Sequence, residues 1–184
     1  MSHLTATQGP VLSEETRVSD PSPAVRRDDF LAAMRQVAAT VTVVTTEGVA
    51  GRVGATVSAF TSLSADPPSV LVCLRADSRI ARAVAQNGVF CVNVLPEDAV
   101  DVARIFAGSS SGNPAERFDG LAISPEHHGP RLPRATAFAC TLTGHIRHAT
   151  HDICIGTVVG LTVAGERPLT YLSGNYHRVH PHQD

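Results

Sequence analysis

The residues whose types and spacing could do chemistry fall into four blocks of this 184-residue chain. The first runs from Gly54 through Ala55, Thr56, Val57, Ser58, Ala59, Phe60, Thr61, Ser62, Leu63 and Ser64 to Asp66-Pro67-Pro68, and is dense in small hydroxyl side chains ending in a turn signal. Hydroxyls and free backbone N–H groups there can hold a phosphate, a polyhydroxyl chain or the polar edge of a flexible ligand without steric obstruction. Strand alternation puts Thr56, Ser58, Phe60 and Ser62 on one face and Val57, Ala59 and Thr61 on the other. The plainer alternative is a Ser/Thr-rich strand whose hydroxyls are satisfied by neighbours. The second block, Asp77-Ser78-Arg79, opens a helical pattern, where free amides and the positive dipole end favour an anion and Arg79 adds a fork of donors. Taken alone, Ser78 is a cap and Arg79 a solvated cation.

The third block is a single residue, Asn93, polar inside the apolar run FCVNVL. A buried amide must find partners, so it is either satisfied within the core or aimed at a ligand. The fourth holds His145, His148 and His151, spaced three apart like a ligand set. On an extended chain His145 and His148 point to opposite faces, and no cysteine or carboxylate at ligand spacing completes a tetrahedral site, so no metal is expected.

What is missing is equally informative. All fifteen basic residues are arginine, which excludes Schiff-base chemistry on a lysine and a lysine-bearing P-loop. Gly48, Gly51 and Gly54 have the spacing GxxGxxG, so a Rossmann dinucleotide site is unsupported. A formal net charge of -2 gives no electrostatic reason to expect nucleic acid or an anionic membrane as partner. No apolar run reaches the roughly 18 residues of a spanning helix, and the first residues lack the pattern of a signal peptide, so a cytoplasmic location is expected. Cys73, Cys91, Cys140 and Cys154 sit singly in apolar stretches and read as buried thiols, not as a disulfide framework.

The elements that must position these residues follow from periodicity. Residues 1–24 are polar and proline-bearing and read as a disordered tail; residues 25–180 read as one domain. Asp28 or Asp29 can cap a helix through Ala38, with Phe30, Leu31, Met34 and Val37 along one face. TVTVVTT, the turn EGVAG and RVGATVSAFTSL form a two-strand hairpin, followed by a buried strand SVLVCLR. A helix over DSRIARAVAQNG, the strand VFCVNVL, a short helix EDAVDVARIFA and a surface loop GSSSGNPAERFDG come next. ATAFACTLTGHIRHA, HDICIGTVVGLTVA and RPLTYLSGNYHRV give three further β segments. Many strands with few helices imply a mainly β fold, a closed or nearly closed antiparallel barrel with flanking helices.

The stretch GATVSAFTSLSADPPSVLVCL, with DSR, FCVNVL, RF, HDICIG and PLTYLSGNY, resembles the flavin reductase-like family, which has a split-barrel flavin-binding fold. It is most similar to short-chain reductase components of two-component flavin-dependent monooxygenases, and the resemblance spans residues 29 to 179. It implies that Thr56, Val57, Ser58 and Ala59 border the isoalloxazine, that Ser62, Leu63 and Ser64 approach the ribityl phosphate, and that Ser78, Arg79 and Asn93 contribute to flavin binding. His151 matches a histidine that lies beside the flavin and contacts the nicotinamide, although Ala149-Thr150 stands where family members usually have Gly-Asp. Tyr171 or Tyr176 matches an aromatic near the nicotinamide, and Phe118 is an aromatic on a loop that could cover the flavin or anchor the loop.

The resemblance further implies an NAD(P)H:flavin oxidoreductase that uses exchangeable FAD or FMN and NADH or NADPH, and releases reduced flavin by diffusion to a partner monooxygenase. It also implies a homodimer. The rival from another class is a non-catalytic flavin carrier or sensor on the same barrel. An oxidase of the pyridoxamine-phosphate type is a weaker rival, since no basic cluster for a second phosphate is present.

Overall fold

The computed structural model describes residues 25–108 and 113–182; the expected tail, residues 1–24, lies outside them. Three helices, α1 (Arg27–Met34), α2 (Arg79–Asn87) and α3 (Val100–Ala107), and one 3-10 helix (Pro114–Phe118) flank ten strands. The strands are β1 (Ala39–Thr40), β2 (Thr42–Thr46), β3 (Val53–Val57), β4 (Phe60–Ala65), β5 (Pro68–Arg75), β6 (Val89–Val94), β7 (Thr136–His148), β8 (His151–Thr162), β9 (Leu169–Leu172) and β10 (Asn175–Arg178). They form a seven-stranded sheet in the order β3-β2-β6-β7-β8-β5-β4 and a three-stranded sheet β1-β9-β10, antiparallel throughout.

The split of this barrel follows from one short connection. β3 and β4 are the two outer strands of the large sheet, yet only Ser58 and Ala59 separate them in the chain. Flat, a seven-stranded sheet would hold its outer strands about 29 Å apart, whereas this connection reaches roughly 10 Å. The sheet must therefore curl until its edges converge at Ser58-Ala59. The expected single strand over RVGATVSAFTSL is thus two strands with different partners, β3 on β2 and β4 on β5. The face alternation carried across Ser58 in the sequence does not survive the break.

Inside the curl, Val44, Val72, Leu74, Phe90, Val92, Cys140 and Cys154 pack with Ile80 and Val84 on the inner face of α2. Ser78 caps that helix by accepting from the Ala81 amide, and Gly88 ends it at φ 69°. Phe90 needs room opposite: a Cβ on Gly156 would lie 2.5 Å from its ring and 2.8 Å from Cys140. A second core joins Val43, Leu95, Phe106, Phe118, Leu132 and Leu169 outside the sheet. Gly54 lets α3 and the 3-10 helix approach β3, because a Cβ there would meet Phe106 at 2.7 Å and Phe118 at 3.0 Å.

Two expectations about local structure need correcting. α1 ends at Met34, and its N-cap is Arg26 with no side-chain cap bond; Asp29 instead pairs with Arg26 at 2.9 Å. Phe30 and Met34 of α1, and Val37 just beyond it, are exposed, so the helical stripe read from spacing has no covering partner within the described residues. The last β segment folds into two strands, because Ser173 and Gly174 both take positive φ and turn the chain back on itself.

Candidate active site

β3 lies at a sheet edge, so one side of its backbone carries no strand partner. That side opens onto a cleft of about 600 Å³ lined by Val53 to Ala59, by Cys73, Leu74 and Arg75 at the end of β5, and by the start of α2. The end of α3 (Phe106, Ala107, Gly108), Pro114, Arg117 and His151 close it. Thr56 is less available than its type suggests, since its hydroxyl donates to the Ala103 carbonyl at 2.7 Å. Ser58 and Ala59 are exposed at the point where the two sheet edges meet.

The charges around the cleft favour an anion. Arg75, Arg79 and Arg117 stand against one carboxylate, Asp77. Asp77 is held by Arg75 at 2.7 Å, and this hydrogen bond draws its carboxyl below the usual range. The N-terminus of α2 adds the positive end of its dipole on the same side. Ser78, however, is occupied: its hydroxyl donates to the Arg75 carbonyl while it accepts from the Ala81 amide.

His151 reaches the cleft from the tip of the β7–β8 hairpin. His148 and His151 pair across the turn Ala149-Thr150, in which Ala149 takes φ 47°. The Thr150 hydroxyl lies 3.0 Å from His151 Nδ1 and fixes one side of the ring. His151 is exposed toward the cleft, while the next residue, Asp152, points the other way and is buried. The Asp152 carboxylate is bound through two nitrogens of Arg147 and lies 3.4 Å from His145 Nε2. Arg147 above all, and His145 after it, hold this carboxyl below its usual range against the opposing effect of burial.

Residues 34–180 match the family described as "Flavin reductase like domain". The chain belongs to that family. It is 39% identical over 171 residues to the "FMN reductase (NADH) RutF" of Ancylobacter novellus, covering 91% of this chain and 93% of the relative. Among solved structures it is similar to an NADH:FAD oxidoreductase of Streptomyces globisporus, with TM-score 0.77 and 26% identity over 91% of this chain and 100% of that one. It is likewise similar to the styrene monooxygenase flavin reductase of Pseudomonas putida, with TM-score 0.74 and 26% identity over 84% and 99%.

In this flavin reductase-like chain, the residues singled out from the sequence divide cleanly. Thr56, Val57, Ser58, Ala59, Ser78, Arg79 and His151 come together around the cleft. Ser62, Leu63 and Ser64 do not: they lie exposed along the edge strand β4, with the Ser64 hydroxyl in a local turn bond to Asp66. Asn93 is fully buried, its amide donating to the Val43 carbonyl and Thr45 hydroxyl and its oxygen accepting from the Leu132 amide. The expectation that it aims at a ligand edge is therefore corrected to a core role.

Phe118 is also a core residue, 5.0 Å from Phe106 in an edge-to-face pair, and lies outside the cleft lining. Tyr176 packs edge-to-face with Tyr171 and under Arg104, in the second core and outside the cleft lining. The sequence reading missed Arg75, Cys73, Phe106 and Arg117 as cleft residues. For Arg117 the signal was present in the Arg117-Phe118 pair but was read from the wrong member. Neighbours on a 3-10 helix point about 120° apart, and the aromatic took the inner side.

Proposed function

We propose that this chain is an NAD(P)H:flavin oxidoreductase that takes FMN or FAD and NADH or NADPH as exchangeable partners in the cleft between β3, the start of α2 and His151. It releases reduced flavin by diffusion to a partner monooxygenase. The observation that carries the reading is the convergence on one cleft of a free strand edge, a helix N-terminus with Arg79, and His151. A volume of about 600 Å³ lies within the roughly 300–1,000 Å³ usual for cofactor clefts. The unpaired edge of β3 suits the polar rim of a planar ring, and the arginines suit a phosphate. The names of the relatives, an FMN reductase using NADH and an NADH:FAD oxidoreductase, support the same pair of substrates.

When bound, a flavin supplies a hydride acceptor and the reduced nicotinamide the hydride, so no protein nucleophile is needed. The chain's own residues do the rest. The unpaired backbone groups of β3 and the exposed Ser58 offer donors where negative charge develops on the ring, and Arg79 with the α2 amides anchors the phosphate end. His151, its ring oriented by Thr150, meets the nicotinamide and aligns it, which turns an encounter into an effectively intramolecular step.

A homodimer and a cytoplasmic location complete the proposal. Val159, Leu161 and Val163 are 55%, 60% and 72% exposed at alternate positions of β8 and just beyond it, an apolar row that supports pairing with a second copy. Among the described residues no helix is long and apolar enough to cross a membrane. The test is the loss of NADH absorbance at 340 nm with purified protein, with and without added FMN or FAD. Loss that depends on flavin supports the reductase; flavin binding with no turnover for either nucleotide would leave the carrier reading in its place.

A further inference from the structure

The buried carboxylate of Asp152 has no part in the proposed hydride transfer, and its setting calls for another explanation. It stands opposite Leu74 on β5 and Arg147 on β7, two residues before the buried Cys154 on the same face of β8. An apolar side chain would serve that core without the desolvation that a buried charge incurs. Instead Asp152 is 3% exposed and gathers Arg147 through two nitrogens and His145 at 3.4 Å, both from the facing strand β7. The three side chains tie the two strands together just behind the hairpin tip.

The tip needs holding. Ala149 occupies a left-handed conformation that a residue with a Cβ enters only at a cost and that glycine adopts freely. An Ala149-Thr150 turn released from its surroundings would relax, and His151, the next residue, would swing with it. One further tie, the Ala76 amide donating to the Thr150 carbonyl at 3.0 Å, links the tip to the loop before α2.

We infer that Asp152 is a positioning residue, which, with Arg147 and His145, clamps the β7–β8 tip in its strained turn so that His151 faces the nicotinamide side of the cleft. The inference rests on the reading of His151 given above. The experiment compares His151→Ala, Asp152→Asn, the double variant, and Ala149→Gly placed in the Asp152→Asn chain. It reads kcat and KM for NADH, and flavin Kd by fluorescence quenching. Asp152→Asn is expected to raise KM for NADH about 5-fold with flavin Kd within about 2-fold, and to add less than about 2-fold in the His151→Ala background, because coupled residues are not additive. Ala149→Gly, by relaxing the turn, should recover at least part of the loss.

A penalty that multiplies in full onto His151→Ala, one that falls equally on flavin Kd, or none at all overturns the clamp while leaving His151 in its role. If His151→Ala by itself changes neither kcat nor KM, the reading of His151 falls and the clamp falls with it.

Discussion

Asn93 and His151 are both polar side chains on strands of the same sheet, and they stand at opposite extremes of availability. Asn93 sits mid-sheet on β6 with its oxygen and amide both engaged by main chain or a buried hydroxyl. His151 sits at the last step of a hairpin with one ring nitrogen engaged by Thr150 and its side chain exposed to a cleft. Residue type marks both as candidates. What separates them is whether the fold has already used their hydrogen-bonding capacity, because a buried amide freed for a ligand would leave main-chain groups without partners.

The largest effect that can break this comparison is on stability. Asn93→Ala strands the Leu132 amide in a dry interior, and about 2 kcal/mol should be lost in urea unfolding at roughly 1–3 kcal/mol per orphaned group. The flavin affinity of the folded fraction should stay unchanged. A stable Asn93→Ala protein with weakened flavin binding would return this residue to the ligand side.

On the cleft side, Arg79→Ala should do the reverse. Flavin Kd is expected to rise about 10-fold, the loss of one charge-assisted anchor, with unfolding midpoints little changed because the side chain is exposed. Measured in rising salt, the gap between the two proteins should narrow, since an exposed cation is screened within about 8 Å at physiological ionic strength. An equal Kd in both proteins at low salt would remove Arg79 from the phosphate end.

Ser78 sharpens the boundary, for it lines the cleft yet is used in the manner of Asn93. With its hydroxyl already between the Arg75 carbonyl and the Ala81 amide, Ser78→Ala should lower stability by about 1 kcal/mol, the usual worth of a helix cap. Flavin Kd should change by less than about 2-fold; a larger loss of affinity would mean that the cap opens to serve the ligand.

The same contrast explains what could be read from the sequence. α2 with its Ser78 cap and the strands β5 to β8 were legible, because capping chemistry and period-2 patterns act over a few residues, whereas a ligand role for the GATVSA block came only from the family resemblance. The break at Ser58-Ala59 was not, since nothing local distinguishes one long hydroxyl-rich strand from two that pair with different partners; sheet closure decides it. Phe118 and Arg117 were exchanged for a similar reason. Which of two neighbours faces inward on a one-turn helix depends on Gly54 leaving space for a ring, a fact about β3, 64 positions earlier in the chain.

The smallest effect concerns pH, and it bears on the polar pair member that lies nearest His151. Asp152 has its folded carboxyl pKa depressed, chiefly by Arg147, relative to its usual value of about 3.8. A depressed carboxylate contributes stability that is complete above the unfolded value and is lost as pH falls through the folded one. Urea unfolding should therefore show the difference between the native chain and Asp152→Asn constant from neutral pH down to about pH 5, then shrinking below about pH 4. The size is modest, because Arg147 is 59% exposed and its charge is partly screened by water. Asp77, Asp98 and Glu166, also depressed by neighbouring arginines, share the direction but are present in both proteins and cancel in the comparison. A difference that grows on acidification would mean that Asp152 is held by hydrogen bonds to its neutral form, and the ionic clamp at the hairpin tip would have to be abandoned.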